Sequence, residues 1–478
     1  MVYRLLLLFL LLIRNELGIA QVRMGDFEFG HFDQDNFGED VDMSADGSIV
    51  AIGNCWIYDT VYHPGYVRIL QWNGDAWERM GDEIIGSKPK DAFGYCVDLS
   101  ADGHTIVIGS YGDPLVRVYT FGTSGWTQVG SDIYKGHISQ AVRDVAISDD
   151  GKTIAYGICD FPHSVEHRGV VRVFEFNDID QDWKQVGGDF IGEVEKGAAG
   201  WQVALSADGQ TLAYVALGDV VKDVEGYIRV FTRQNGEWHQ KGLIEPDGIL
   251  TLMQGWSLSL AADGNMLSFG TLPSTGDEPG TFVQVFRFVD DDWIIVDKPI
   301  QGYIHSSLSL DGHRIAVSRA SHPSCPVLVL DLVNDTWVQM GHSITSTYEY
   351  EWPGSEISLA HDGQRLVTAS AFKGGAVAMY DLSQLEVATP DEICTHLDSV
   401  PEEKKITILP NPTNGRLYIT GIDLTDEHEQ NAIDVYSIIG QRIQAFIPSA
   451  NEIDISHLPS GIYIISIHGL VEKIVKVD

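Results

Sequence analysis

A short motif that occurs seven times constrains the fold of this 478-residue chain more than any other feature. Each copy is an alternating apolar stretch that runs into a turn of the type Ser-Ala-Asp-Gly, as in residues 203–209. The sixth copy, at residues 308–312, reads as one or two residues short. The turns lie 48 to 58 residues apart and end at Gly47, Gly103, Gly151, Gly209, Gly264, Gly312 and Gly363. A period of this length indicates an array of similar structural units.

Each repeat contains the pattern of four strands. Residues 201–206 alternate and enter the Asp-Gly turn, and residues 211–216 form a second strand. A third strand follows a loop, and a fourth begins with tryptophan after an Asn-Gly or Asp-rich turn, as at Trp77 and Trp126. Alternation bounded by Gly, Asn and Asp is the hairpin pattern, and a propeller blade is a four-stranded meander of about fifty residues. The sequence therefore predicts an all-β, seven-bladed β-propeller over residues 21–388.

Only six Trp-led strands serve the seven repeats, because the seventh repeat ends after Leu382 without one. Residues 22–25 (Val-Arg-Met-Gly) match the fourth strands that end at Gly81 (Glu-Arg-Met-Gly) and Gly341 (Val-Gln-Met-Gly). We therefore expect residues 22–25 to supply the outer strand of the seventh blade. That strand closes the ring without a covalent bond and leaves no free sheet edge where the repeats end.

The repeats resemble a bacterial or algal form of the integrin-type, FG-GAP-like propeller repeat. The resemblance rests on Phe-Gly or Gly-Trp before the first strand (residues 37–38, 93–94, 200–201 and 255–256) and on Ile-Gly in the second (residues 52–53 and 108–109). The integrin-type loop carries several carboxylates for calcium, whereas the first turn offers only Asp46, and calcium takes six to eight oxygen ligands. We expect plain hairpin turns, in which Asp accepts backbone N–H groups and Gly is left-handed, with no metal and no cofactor.

Arginine recurs at one position of the third strand, at Arg68, Arg117, Arg172 and Arg229. Repeated arginines at one strand position predict hydrogen bonds or ion pairs between blades. Asp42 and Asp98 are the partners that we expect for them.

Beyond the repeats, residues 389–405 form a charged linker that contains Pro390 and Pro401. Residues 406–478 show short alternating stretches with a turn signal about every ten residues. This pattern predicts a small immunoglobulin-like β-sandwich.

Four motifs in this last segment resemble the C-terminal sorting domain of type IX secretion cargo in Bacteroidota. The residues that carry the resemblance are Pro410, Asn411, Pro412, Gly415, Gly440, Leu458, Gly461, Tyr463 and Lys473. The resemblance implies recognition by the type IX translocon, removal by its C-terminal signal peptidase within the linker, and a secreted or outer-membrane cell-surface location. The alternative is a generic sandwich module that binds a ligand of its own.

The N-terminus also predicts export. Arg4 precedes an apolar run over residues 5–13, and Gly-Ile-Ala at residues 18–20 is typical of a cleavage site, so residues 1–20 are interpreted as a signal peptide. An uncleaved N-terminal anchor is the alternative. No later stretch reaches 18 unbroken apolar residues, so we expect no membrane-spanning segment.

Five cysteines show neither a CxxC pair nor a spacing that follows the repeats: Cys55, Cys96, Cys159, Cys325 and Cys394. This scatter predicts buried thiols rather than a disulfide framework or a zinc site. A bridge from Cys55 to Cys96 or to Cys159 stays open.

Charge excludes one class of partner. The chain has 31 basic and 68 acidic residues, a net charge of -37, and most of the excess falls on the predicted propeller. Nucleic-acid binding draws on clustered Lys and Arg, so an acidic surface of this kind repels a phosphate backbone. We expect no nucleic-acid partner.

The loops between the second and third strands are the predicted ligand site, because they cluster on one face and differ between repeats. They carry aromatic and polar residues suited to stacking on a sugar or holding a peptide. The candidate residues are Trp56, Tyr58, Tyr62, His63, Tyr111, Asp113, Asp160, His163, Glu166 and His167. The alternative is that Trp56 and Tyr58 merely cap their blade. The predicted function is a secreted or cell-surface binding or adhesion module for a glycan or a protein.

No catalytic constellation stands out from the sequence. His163, Glu166 and His167 match an inverted zincin string, but that chemistry requires a helix and this string lies in a loop. The Ser-Ala-Asp-Gly turn lacks the residue that separates Asp from Gly in the sialidase Asp-box. We therefore expect no enzyme activity. An extracellular propeller hydrolase or lyase acting on polysaccharide is the alternative, which titratable residues converging in the central channel would favour; a purely structural surface component is a third possibility.

Overall fold

A computed structural model describes most of the repeat region and part of the C-terminal segment. The described ranges are 21–31, 36–55, 64–88, 91–112, 115–135, 141–159, 167–195, 197–217, 226–244, 253–273, 281–319, 327–344, 355–370 and 375–388, with seven strands after residue 406. The chain divides into two units, Met1–Cys394 and Thr395–Asp478. The predicted signal peptide and the predicted linker at 389–405 lie outside the described residues.

The first unit contains seven antiparallel sheets, and in each the first three strands follow the chain from the innermost strand outward. The innermost strands, in blade order, are Phe37–Met43, Phe93–Leu99, Val142–Ile147, Gln202–Leu205, Met253–Leu260, His305–Leu308 and Glu356–Leu359. The second strands are Ile49–Asn54, Thr105–Ser110, Thr153–Ile158, Thr211–Ala216, Met266–Pro273, Arg314–Ser318 and Arg365–Ser370. The third strands are Tyr66–Trp72, Leu115–Gly122, Val170–Asn177, Tyr227–Gln234, Phe282–Val289, Val327–Val333 and Ala376–Asp381. The all-β, seven-bladed prediction is confirmed.

The outer strands differ between the two halves of the ring. Blades four to six have continuous outer strands, Glu237–Ile244, Asp292–Gln301 and Thr336–Ile344. In blades one to three the outer strand is split into two pieces that both pair with the third strand: Trp77–Arg79 and Ile84–Ile85, Gly125–Gln128 and Tyr134–Lys135, Asp182–Gln185 and Phe190–Ile191.

The N-terminal segment supplies the outer strand of blade seven, which confirms the predicted closure. Val22–Arg23 pairs antiparallel with Ala376–Asp381, and Glu28–Phe29 pairs with the other end of the same strand. The chain then leaves blade seven as an exit segment, residues 382–388, which runs beside the outer strand of blade six. There the Gly341 N–H donates to the backbone carbonyl of Glu386 at 2.7 Å.

The repeated turns have the predicted hairpin geometry. In the first, Asp46 accepts the backbone N–H of Ser48 at 2.9 Å and Gly47 has a φ of 63°. The sixth turn is complete: Ser309 Oγ donates to Asp311 at 2.7 Å, as Ser44 Oγ does to Asp46. The expectation that this copy is short is therefore wrong, because serines at 306 and 307 stand where the first copy has Val-Asp and hide the repeat.

The residue before each turn Asp takes part in a closed circle of backbone hydrogen bonds, in which its N–H donates to the equivalent carbonyl of the next blade. The seven bonds are 2.8 to 3.1 Å long and join Ala45, Ala101, Asp149, Ala207, Ala262, Leu310 and His361, which donates back to Ala45. We call this the turn circle. It holds all seven blades together at one end of the central channel.

A second contact joins neighbouring blades at the outer rim. The Trp238 indole N–H donates to the Val186 carbonyl at 3.2 Å and packs over Gly187, where an added Cβ would lie 2.7 Å from the Trp238 ring. Trp77, Trp126, Trp183 and Trp293 make the same bond to the preceding blade. Glycine at this position therefore leaves space for the neighbouring indole.

Blade five departs from this rule. Asp297 occupies the glycine position with a φ of 59°, and its carboxylate accepts the backbone N–H of Trp337 at 2.8 Å. The Trp337 indole N–H has no partner within the described part of the chain. At this blade contact, a hydrogen bond from the Trp337 backbone N–H to the Asp297 carboxylate therefore replaces the hydrogen bond that the indole N–H makes at the other contacts.

The hydrophobic core consists of clusters between neighbouring blades, such as Val67, Phe93 and Ile108 between blades one and two. Cys55, Cys96 and Cys159 are buried and form no disulfide, as predicted; Cys325 and Cys394 lie outside the described residues. Where the structure describes the chain, no helix has the length and apolar character needed to cross a membrane.

The C-terminal unit contains two antiparallel sheets. One has the strands Thr407–Leu409, Arg416–Thr420 and Glu452–Asp454, and the other has Arg442–Phe446, Ile433–Ser437, Gly461–Ile467 and Leu470–Lys476. The strand content agrees with the all-β prediction, and the immunoglobulin-like sandwich stays a prediction.

We expect Gly187→Ala to lower the free energy of unfolding by about 1–3 kcal/mol more than Gly236→Ala, since overpacking of a filled site carries a cost of this size. The two glycines have φ values of 82° and 84°, but only Gly187 faces an indole; nothing lies within 4 Å of the Cβ position at Gly236. Urea unfolding of both variants checks this, and equal losses would show that the indole contact does not limit this position.

Candidate functional site

The central channel is lined by the innermost strands of all seven blades and encloses about 230 Å³. Its two sides differ in chemistry. Carboxylates from blades one to three face it, namely Asp40, Asp42, Asp98 and Asp144, which we call the channel carboxylates. Blades five to seven present mainly hydroxyls, from Ser257, Ser259, Ser306, Ser307 and Ser358, beside Glu356.

Each channel carboxylate accepts a backbone N–H of the next blade. Asp42 accepts from Leu99 at 2.9 Å, and Asp98 accepts from Ile147 at 2.6 Å. Asp40 and Asp144 accept from Val97 and Val203, each at 2.7 Å. On the opposite side, hydroxyls make the equivalent bonds, for example Ser259 to Leu308 N–H and Ser307 to Leu359 N–H, each at 3.0 Å. These groups therefore hold neighbouring blades together.

Burial raises the pKa of three channel carboxylates, Asp40, Asp98 and Asp144. The pKa of Asp144 rises from 3.8 to about 7, chiefly because the ionised form loses water in the channel. The pKa values of Asp40 and Asp98 lie well above 3.8 for the same reason, and Asp98 also hydrogen-bonds to Asp42. Near neutral pH some of these carboxyl groups are therefore protonated and others ionised.

One end of the channel is narrow, and the other carries the predicted ligand loops. At the turn circle, His361 Nδ1 lies 3.9 Å from an Asp149 carboxylate oxygen. At the opposite end the innermost strands begin and the second strands end, since Phe37 is opposite Asn54 and Phe93 is opposite Ser110. The loops between second and third strands leave from that end, which we call the mouth.

Arg143 and three aromatic side chains meet at the mouth. The Arg143 guanidinium carbon lies 3.9 Å from the centre of the Trp201 ring, 5.4 Å from Tyr95 and 5.8 Å from Tyr111. The two tyrosine rings are 4.9 Å apart. With Glu39, these residues form what we call the mouth cluster, and all five are half-buried.

Glu39 adds a titrating carboxyl to the mouth cluster. Burial raises its pKa from 4.5 to about 7, and the negative charge of Glu356 raises it further. The Arg143 charge and a hydrogen bond from Cys55 act in the opposite direction but do not outweigh the loss of water. The Glu39 carboxyl therefore changes between its protonated and ionised forms near neutral pH.

Of the predicted loop residues, the structure describes two. Tyr111 lies at the mouth, against Tyr95. His167 precedes the third strand of blade three, and its carbonyl accepts the Ala198 N–H at 3.3 Å. The others lie outside the described residues, namely Trp56, Tyr58, Tyr62, His63, Asp113, Asp160, His163 and Glu166.

Four residues of the mouth cluster were not predicted from the sequence, although a pattern that marks three of them is present. Glu39, Tyr95 and Trp201 each come directly after the glycine of the Phe-Gly or Gly-Trp motif, the position where an innermost strand begins at the mouth. Arg143 occupies the equivalent position of blade three without the motif. Because the residue at this position differs from blade to blade while the rest of the repeat is regular, the position could have been recognised as part of a candidate site.

The third-strand arginines do not bind Asp42 or Asp98, so that prediction is wrong. Arg68, Arg117 and Arg172 pair within their own blades, with Glu83, Asp132 and Asp189, which lie between the two pieces of the split outer strands. Arg229 pairs between blades as predicted, with Glu193, which follows the outer strand of blade three. The N–O distances are 2.6 to 2.9 Å. The arginines point away from the channel toward the rim, whereas Asp42 and Asp98 face the channel. Within the described ranges, no group of three His, Cys, Asp or Glu side chains is arranged to hold a metal ion.

The C-terminal segment matches a known family. Residues 407–477 match the family described as the secretion system C-terminal sorting domain. Of the predicted sorting residues, Gly461 and Tyr463 lie in one strand and Lys473 lies in the strand beside it, opposite Ile464. The others lie outside the described residues, namely Pro410, Asn411, Pro412, Gly415, Gly440 and Leu458.

Solved structures are similar to the propeller. Kuenenia stuttgartiensis hydrazine synthase is similar over 73% of this chain and 96% of its own, with 14% identity and a TM-score of 0.50. The RRP9 WD40 repeats are similar over 77% and 100%, with 11% identity and a TM-score of 0.46. The likeness to hydrazine synthase shows a common fold alone. No curated protein sequence matches this chain.

Fold and sorting domain together define an exported β-propeller protein. The type IX sorting domain directs the chain to the outside of the cell, as a secreted or cell-surface protein, and interacts with the secretion system on the way.

We expect the free energy of unfolding to fall as pH rises from about 4 to 7, and Asp144→Asn to reduce that slope. The unfolded carboxyl titrates near 3.8 and the folded one near 7, so over this interval only the folded state keeps the proton. For each proton that only the folded state holds, the free energy of unfolding falls by about 1.4 kcal/mol per pH unit.

The measurement is urea unfolding of the wild type and of Asp144→Asn at several pH values between 4 and 7. The amide oxygen that Asp144→Asn introduces can still accept the Val203 N–H, and Asp75→Asn, on an exposed turn, controls for removal of one carboxyl. Parallel profiles for wild type and Asp144→Asn would contradict the raised pKa.

Proposed function

We propose that the exported propeller is a binding or adhesion module that uses the mouth of its channel to hold a glycan or a protein. The observation that carries this proposal is the mouth cluster. Three aromatic side chains and one arginine, contributed by blades two, three and four, are half-buried around one concave end. Aromatic rings with a few polar groups at a concave end are typical of ligand sites.

The scaffold under the mouth cluster supports a binding role. Arg143 and Trp201 directly precede Asp144 and Gln202 on the innermost strands, and the Asp144 bond to Val203 N–H ties their two blades together at 2.7 Å. A site on strands fixed in this way loses little conformational entropy when a ligand binds. Variable loops at the same end then supply further contacts.

A second candidate, an extracellular propeller hydrolase or lyase acting on polysaccharide, draws support from Glu39 and Glu356. Titratable groups do converge at the channel, and the pKa of Glu39 lies near 7, raised by burial and by the charge of Glu356. A protonated carboxyl beside a second carboxylate is the acid–base arrangement that glycoside cleavage uses. The channel carboxylates themselves favour the binding role, since they are engaged by backbone N–H groups.

A glycan and protein array probed with the full chain tests the binding proposal. We expect retention of at least one ligand, and a loss of about tenfold or more in affinity for Trp201→Ala. The substitution removes an aromatic surface at the mouth and the cation–π contact that orients Arg143, which is worth about 2 kcal/mol when desolvated. Phe29→Ala, which removes an exposed aromatic ring on the outer edge of blade seven, is the control. No retention of any ligand would favour a purely structural surface component.

Product release from the same array separates the two candidates. If the chain is an enzyme, we expect soluble oligosaccharide to appear, and Glu39→Gln or Glu356→Gln to reduce its rate by at least about a hundredfold, a typical general acid–base contribution. Retention without released sugar over a long incubation would exclude this activity for the polysaccharides present.

A further inference from the structure

Arg143 differs from the repeated third-strand arginines. Those four are each paired with a carboxylate. Within the described residues, Arg143 has no hydrogen bond or ion pair, and its buried Nε has no partner. Its contacts are the rings of Trp201, Tyr95 and Tyr111. A half-buried guanidinium without an acceptor leaves strong hydrogen-bonding capacity unused.

The aromatic contacts determine what this guanidinium can take. Trp201 lies 3.9 Å from the guanidinium carbon, which places the cation against the ring. The Trp201 ring covers one side of the guanidinium and provides no hydrogen-bond acceptor, so the N–H groups remain for a ligand. Two parallel N–H groups match the two oxygens of a carboxylate, a geometry that arginine provides and lysine does not.

We propose that the mouth cluster binds a carboxylated sugar, with Arg143 pairing to the carboxylate of a uronic acid residue and the rings of Tyr95 and Tyr111 packing on the sugar. This inference rests on the proposed binding function and names its ligand class. The net charge of -37 repels long polyanions, so short oligouronates or single uronic acid residues on a neutral glycan are the favoured ligands.

The neighbouring acids make the interaction depend on pH. The pKa values of Glu39 and Asp144 both lie near 7, raised chiefly by burial. Below pH 7 they are mainly neutral and leave Arg143 free for the ligand; above it they ionise and compete with the ligand carboxylate. Tyr95, Tyr111, Cys96 and Cys159 also act electrostatically on Arg143. Affinity should therefore fall as pH rises from 6 to 8.

Titration calorimetry of the full chain with short oligogalacturonates and their methyl esters tests the proposal. The ester keeps the shape of the sugar and removes the charge. We expect the acid to bind more tightly than the ester, and Arg143→Gln to weaken binding of the acid by about tenfold or more, as loss of a hydrogen bond to a charged group predicts. Arg143→Lys should recover only part of the affinity.

Arg287→Gln removes one positive charge at an exposed ion pair with Asp335 on the outer hairpins and should leave binding unchanged. Thermal unfolding of each variant shows whether it is folded; if Arg143→Gln is not, the acid–ester comparison on the wild-type chain decides. Equal binding of acid and ester, or of wild type and folded Arg143→Gln, overturns the inference. If a neutral glycan or a protein is instead retained in a Trp201-dependent manner, the binding function stands and the uronate assignment fails.

Discussion

The turn circle is the interaction on which the other inter-blade contacts depend. Because seven backbone N–H groups each donate to the equivalent carbonyl of the next blade, the spacing of the blades at that end is independent of side-chain identity. Alanine, aspartate, leucine and histidine all occupy the position. The channel carboxylates and the Trp–Gly contacts then maintain the same spacing further along the channel and at the rim. Three sets of short contacts at three places suffice to close a ring whose repeats differ in sequence.

Function is concentrated where this regularity is broken. Along most of the channel, inward side chains are used to join blades, and burial keeps part of the carboxylates protonated. At the mouth, the repeated position after the Phe-Gly motif changes from Glu39 to Tyr95, Arg143 and Trp201 in successive blades. Arg143 contacts the rings of Tyr95 and Trp201, and its charge acts on the pKa of Glu39. These four side chains therefore interact with one another rather than with the backbone of the next blade. The regular part of the repeat forms a rigid frame, and the variable position places different polar and aromatic side chains at the mouth.

The sequence predicted what depends on local pattern. Strand alternation, Asp-Gly turns and the likeness of residues 22–25 to other outer strands were sufficient for the seven blades and their closure. It did not predict the partners of the third-strand arginines, because an acid such as Glu83, between the two pieces of a split outer strand, has no fixed position in the repeat. Nor did it identify Arg143 as part of a site. Irregular pairing near the start of the innermost strands, between Val142 and Asp144 for example, decides which side chains reach the mouth, and alternation alone does not show it.

The closing strand has a consequence for the order of folding. Val22–Arg23 finds its partner only in Ala376–Asp381, at the other end of the repeat region. Contacts between such distant segments form late, since the loop between them must first be ordered. Until blade seven has formed, the array therefore remains an open arc in which the first and last blades each have an uncovered face. Closure thus acts as a check on completeness: a chain truncated before residue 376 keeps its N-terminal strand unpaired, and its open ring is more exposed to proteolysis.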